Sequence, residues 1–129
     1  MIVVDASAVV DLVCDARGAA ELRERMRGEA TAHAPHLFDI EVAGALRRLA
    51  ASSELSEDRA ADALLDAAEL PIVRYSHRPL IERAWELRGH LTISDGVYIA
   101  LAELLDAPLL TADARLARAG GHAAKVELV

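Results

Sequence analysis

The sequence predicts an α/β fold with a central, mostly parallel sheet flanked by helices. Three observations lead there. Short apolar runs alternate along the chain with longer segments of helical period. The first run, Ile2-Val3-Val4, is β-branched throughout and reads as a buried strand. Alanine makes up much of the apolar content while aromatics reach only 3%, a balance that favours closely packed helices.

The elements follow in order. The strand at residues 2–4 ends at Asp5, and Ser7 starts a helix over Ala8 to Val13. A second helix covers Ala19 to Met26, with Gly28 as its stop. Thr31 to Ala34 forms a second strand, ended by Pro35, and Phe38 to Ala51 is helical with Asp39 as cap. After a break at residues 53–56, Ser56, Glu57 and Asp58 open a helix to about Glu69, its acidic first turn suited to the helix dipole. Pro71 ends it. Ile72 to Tyr75 is a third strand, and Pro79 begins the next helix, to about Arg88. Ser94 caps a long helix from Asp95 to Leu105. The strand Leu109 to Thr111, a helical turn over Ala114 to Arg118, the Gly120-Gly121 break and a last strand, Lys125 to Leu128, complete the chain.

At 129 residues this is one domain, 1–129, without an evident linker. Its formal charge of -7 argues against a generic nucleic-acid binder. A site that gathers acids around a divalent cation weakens that objection, because the ion reverses the local field. Lys125 is the only lysine; the other basic residues are arginines, which suit bidentate phosphate contacts. Cys14 stands alone, so no internal disulfide or cysteine metal cage forms, and packing is its expected role. Neither a secretory leader nor a membrane span is legible, and a cytoplasmic protein is the expectation.

The informative feature is where the acids fall. Asp5 closes the first strand and Asp113 follows the strand ending at Thr111. In open α/β sheets the ligand site lies beyond the carboxyl ends of the strands. Glu41 and Asp95 each fall in the first turn of a predicted helix, and such helices can start at that same edge. Four acids from distant segments can therefore converge. Converged carboxylates repel unless a cation sits among them. Mg²⁺, a hard ion that keeps waters, is the natural candidate, and it can activate water for hydrolysis. Ser7 can donate to Asp5 and fix its orientation, and Thr111 is assigned a similar supporting role. Gly96 is read as opening backbone access for a metal or phosphate beside Asp95, and Ala43-Gly44-Ala45 as a face another helix can approach. Each acid also has a plain alternative as a helix-terminal or turn residue.

These segments resemble a known family. Val3-Val4-Asp5-Ala6-Ser7-Ala8 is similar to the opening of PIN domains, particularly VapC-type toxins of bacterial toxin–antitoxin pairs. Ile40 to Leu46 resembles the helix bearing the family's glutamate, Ser94 to Ala102 its third motif and Leu110 to Leu116 its fourth. The resemblance spans nearly the whole chain. It implies a PIN-like three-layer sandwich and a Mg²⁺- or Mn²⁺-dependent endoribonuclease, with Asp5, Glu41, Asp95 and Asp113 as metal-binding acids. It also implies a homodimer, an RNA substrate and a small cognate antitoxin protein. Gly96 departs modestly from the alanine or other small residue of many relatives.

Among the remaining residues, Arg48 shares a helical face with Glu41, and Arg115 adjoins Asp113, so both are candidates for RNA phosphate, with solvated surface as the alternative. Arg47 and Arg118 carry the same alternatives. Arg23, Arg25 and Arg27 interleave with Glu21, Glu24 and Glu29 as a salt-bridged outer face. Trp85 is expected to pack, given its spacing to Ile81 and Arg88, and Tyr98 is either core or pocket wall. Val9, Val10, Val13, Leu22 and Met26 read as core, with a partner groove as the alternative. Two rival functions stay open: a non-catalytic metal-binding module, and a haloacid-dehalogenase-like phosphatase. The second normally wants an aspartate where Ser7 stands. A phosphoacceptor receiver would need a better-placed lysine than Lys125.

Overall fold

The structure is a computed structural model that describes residues 1–28 and 31–129. Five strands, β1 (Ile2–Val4), β2 (Ala32–Pro35), β3 (Ile72–Tyr75), β4 (Leu109–Thr111) and β5 (Val126–Leu128), pair in the order β3-β2-β1-β4-β5. Every pairing is parallel. The inner strands β1, β2 and β4 are buried at every position, as expected of a parallel sheet covered on both faces. The edge strands are only partly covered.

Among the described residues seven α-helices join or flank them: α1 (Ala6–Val13), α2 (Ala19–Arg27), α3 (Leu37–Ala51), α4 (Glu57–Glu69), α5 (Ile81–Glu86), α6 (Ile93–Leu105) and α7 (Ala114–Arg118). A 3-10 turn at Arg78–Leu80 holds Pro79 in its first turn and leads into α5. Helices α1 to α4 pack on one another on one face, and the α5–α6 pair packs on the other. The result is a three-layer sandwich. Among the described residues no helix is long and apolar enough to cross a membrane.

Three helix starts differ from the sequence reading. The cap of α1 is Asp5 rather than Ser7, that of α3 is His36 rather than Asp39, and that of α6 is Thr92 rather than Ser94. Ser56 does cap α4, its side chain accepting from the Arg59 N–H. Asp39 instead forms a two-pronged ion pair with Arg74 of β3, at 2.8 and 2.9 Å. Glu41 consequently sits one turn deeper in its helix than expected.

Val9, Val10, Val13 and Leu22 are core, and Met26 packs partly buried against them. Cys14 is also partly buried, and burial raises its thiol pKa. Trp85 departs from expectation: it is 59% exposed, with the Arg88 guanidinium 4.6 Å from its ring centre. The packing residue of α5 is the neighbouring Ala84, fully buried against α6. The arginines of α2 mostly find partners outside their helix, Arg23 on Asp15 and Arg25 on Glu127, and Glu29 lies outside the described residues.

Candidate active site

The strand order reverses direction between β1 and β4, and open parallel sheets bind ligands in the crevice at such a switch point. Asp5 leaves the end of β1 and Asp113 follows the end of β4, so both sit on that crevice. Helix α3 starts from the same edge just after β2 and carries Glu41, while α6 brings Asp95 in its first turn.

Asp5 is only 7% exposed. Its Oδ2 accepts from Ser7 Oγ at 2.6 Å and from Thr111 Oγ1 at 2.7 Å. Each hydroxyl is itself held from behind: the Ala112 N–H donates to Ser7 Oγ and the Asp113 N–H to Thr111 Oγ1. With both hydroxyl protons directed at Asp5, the 3.2 Å approach of Ser7 Oγ to Thr111 Oγ1 is a contact rather than a third bond. Among the described residues no side-chain donor addresses Oδ1 of Asp5. This cradle ties α1 to β4 and fixes the carboxylate.

The four acids act on one another electrostatically. Burial raises the pKa of Asp5; the Ser7 and Thr111 bonds oppose this, and Asp113 adds repulsion. Glu41 is raised by burial and by the charges of Asp5 and Asp95, against the influence of Tyr98 and Arg48. Asp95 is raised by burial and by Asp5 and Asp113, while its bond within the Thr92 cap and the charge of Arg115 pull it down. Asp113 differs. Burial raises it, but Arg115, through its backbone N–H at 2.8 Å and its guanidinium at 3.3 Å, brings it below the usual value. Three carboxylates therefore carry an unfavourable charge and the fourth does not.

Tyr98 is core and pocket wall at once. Its ring is fully buried, and its hydroxyl lies beside Glu41, whose charge together with desolvation pushes the phenol far up. Neither Tyr98 Oη nor Glu41 Oε1, both buried, finds a hydrogen-bond partner of normal geometry among the described residues. The spacing Asp95 to Tyr98 puts both on one helix face, and the pattern Thr92-x-x-Asp95 was the readable signal for the true cap.

A buried acceptor without a donor, amid repelling carboxylates, fits a cation. Among the described residues no three His, Cys, Asp or Glu side chains form a ready-made metal cage. Beside the acids runs a groove of about 740 Å³ whose lining includes Ser7, Arg48, Asp113 and Arg115. Arg115 is 87% exposed and Arg48 is exposed as well, so both guanidinium groups are accessible from it.

Gly96 serves another purpose than backbone access. A Cβ there would stand 3.0 Å from Ala84 Cα, so the glycine lets α5 and α6 close on each other. Gly96→Val is expected to destabilise the fold by about 1–3 kcal/mol through overpacking. Urea unfolding measures this, and an unchanged midpoint would contradict the tight contact. Gly44, by contrast, has only the Arg48 guanidinium near its open side, at 3.5 Å, while Ala43 and Ala45 flank it on α3.

Comparison with known proteins agrees with this architecture. The PIN domain family model matches residues 2–122. "Ribonuclease VapC12" of Mycobacterium tuberculosis is 43% identical over 100% of this chain and 99% of its own length. "Ribonuclease VapC1" of the same organism is 46% identical over 98% and 96%. Among solved structures, PAE2754 from Pyrobaculum aerophilum superposes with a TM-score of 0.68 at 26% identity, covering 89% of this chain and 76% of that one. A toxin–antitoxin complex from Klebsiella pneumoniae superposes at 0.63 and 21% identity, over 92% and 91%. The chain belongs to the PIN-domain family, among its VapC-type ribonucleases.

Proposed function

We propose that the protein is a divalent-metal-dependent endoribonuclease and the toxin of a toxin–antitoxin pair. The observation that carries this reading is the placement of Asp5 and Asp113 just after β1 and β4, at the switch point of the sheet, with Glu41 and Asp95 on the adjoining helices; burial and neighbouring carboxylates raise Asp5, Glu41 and Asp95 there. Full-length likeness to proteins named ribonucleases supports RNA as the substrate.

Asp5, Glu41, Asp95 and Asp113 would hold the ion. Bound there, Mg²⁺ or Mn²⁺ supplies a water of lowered pKa and neutralises charge on the phosphate. The protein's own part is positioning. Ser7 and Thr111 fix the Asp5 carboxylate, and Thr92 sets the first turn of α6 below Asp95. Buried Glu41 Oε1 is a free acceptor for a water proton or the ion. Tyr98 keeps its proton and can donate to Glu41 as charge develops there. Arg48 and Arg115 flank the crevice and would bind backbone phosphates on either side of the scissile one.

A homodimer and a small antitoxin protein as inhibitor belong to the same reading, and the similarity to a toxin–antitoxin complex supports the second. The phosphatase alternative loses ground because Ser7, in the place of its second acid, is fully engaged by Asp5 and Ala112. Lys125 pairs with Glu127 at 2.7 Å on the edge of the sheet, away from the receiver-type role.

Incubating the purified protein, freed of any bound partner, with a mixed RNA pool tests the function. Internal cuts with Mg²⁺ or Mn²⁺ and none with EDTA are expected; intact RNA under every metal condition would overturn the reading. Ser7→Ala removes one of the two bonds to Asp5 and should lower metal affinity or cleavage by about 10–100-fold, as for other supporting partners of metal ligands. An unchanged metal titration and rate would show that Thr111 alone suffices.

A further inference from the structure

The groove beside the carboxylates extends well past them. Helices α1 and α3 both start at the catalytic edge of the sheet and run away from it. Along α1, Ser7 touches the Asp5 cradle and Asp11 lies one turn further on. Along α3, Glu41 is followed by Ala45, then Arg48, then Leu49, with Ser52 just beyond the helix end. All of these except Glu41 line the same groove, together with Val10, Glu54, and Ala112 to Arg115. At 1.5 Å per residue, Asp11 stands roughly 6 Å along the axis beyond Ser7.

The groove carries both signs of charge, with Arg48 and Arg115 in its lining beside Asp11, Glu54 and Asp113. Val10, Ala45 and Leu49 of the same lining are apolar. Glu54 is already engaged as acceptor of the Ser52 hydroxyl at 2.7 Å. The half-buried Asp11 carboxylate has no hydrogen-bond or ion-pair partner among the described residues. Arg48 or Arg115 can hold a nucleotide's phosphate in such a groove. Its base can then rest on the apolar residues with its edge towards Asp11, which lines the same groove.

An ionised carboxylate only accepts hydrogen bonds, and its two oxygens can take two parallel N–H donors. Guanine alone among the common bases offers two such donors side by side, the ring N1–H and the exocyclic amino group. Cytosine and adenine offer only an amino group, and uracil one ring N–H. We propose that this groove is a base-recognition subsite for a guanosine neighbouring the scissile phosphate, with Asp11 as its specificity-determining residue. The proposal rests on the RNA-cleaving reading above.

The test uses the intact protein with Mg²⁺ or Mn²⁺. Cut sites are first mapped on a randomised RNA pool, where guanosine should be enriched at one fixed position relative to the cut. A short RNA with that sequence is then compared with the same RNA carrying inosine there, which lacks the exocyclic amino group. For the parent, kcat/KM should fall about 5–150-fold on the inosine substrate, the range for losing a specific base contact. In Asp11→Asn the guanosine-to-inosine ratio should collapse towards one, whatever that variant's overall rate. Cleavage with no guanosine preference, or an undiminished ratio in Asp11→Asn, overturns the subsite and leaves the nuclease standing. No cleavage of any RNA by the parent overturns both.

Discussion

Asp5→Asn should lower RNA cleavage by about 10³-fold or more and, in metal-free buffer, make the protein more stable than the parent. The two effects share one cause. Asp5 is buried and accepts two hydroxyl bonds, yet burial and the charge of Asp113 leave its ionised form disfavoured. Asparagine keeps an oxygen for Ser7 and Thr111 while removing the charge. In the proposed metal site, losing that charge would also remove a direct metal contact, and metal-derived stabilisation of several kcal/mol corresponds to roughly three decades in rate. Cleavage assays and thermal melts in EDTA check the pair of results. A variant that is inactive because it is less stable in EDTA would contradict the repulsion argument, and an active variant would remove Asp5 from the site.

The second large effect concerns Glu41 and pH. The folded protein raises the pKa of Glu41 above the ordinary glutamate value of 4.5, first through burial, then through Asp5 and Asp95 against the opposing Tyr98 and Arg48. A carboxyl whose folded pKa is raised costs stability at pH above that folded pKa, where both folded and unfolded states are ionised. The cost disappears as pH falls through the folded value towards 4.5. In EDTA, Glu41→Gln should therefore be more stable than the parent at neutral pH, with the gap closing on acidification. Added Mg²⁺ or Mn²⁺ should reverse the order by binding the parent preferentially. At a hundredfold excess over Kd this gives about 2.7 kcal/mol, on the order of 10 °C in Tm for a domain of this size. Melting curves across pH with and without metal measure both. A gap that widens on acidification would contradict the assigned sign.

Much of this architecture was legible in the sequence, because the buried strands declare themselves as short apolar runs bounded by Pro35, Pro71 and Pro108. Helix starts were less legible. Helices α3 and α6 begin on the apolar residues Leu37 and Ile93, so their caps lie two or three residues before the polar residues that look like caps. Asp39 carries every local sign of a cap, but its partner Arg74 lies 35 residues away on β3. Trp85 shows that periodicity identifies a shared face without saying which face turns inward; Ala84, the smaller neighbour, allowed the closer approach to Gly96. At the candidate site, the strand-end positions of Asp5 and Asp113 follow from local pattern. The cradle of Ser7 and Thr111 around Asp5 spans more than a hundred residues, and the orphaned Glu41 Oε1 beside Tyr98 joins two helices, so neither geometry is written in any one segment.

Asp5, Glu41, Asp95 and Asp113 are proposed to share one divalent-metal site. Calorimetric titration of Mn²⁺ into the parent and into Asp5→Asn, Glu41→Gln, Asp95→Asn and Asp113→Asn, without RNA, tests it most directly. The expected result is saturable binding by the parent, with protons released as the raised carboxyls ionise, and affinity weakened at least about tenfold in each variant. Equal Mn²⁺ affinity in the parent and all four variants would contradict it, and would leave these acids as neighbours that hold no common ion.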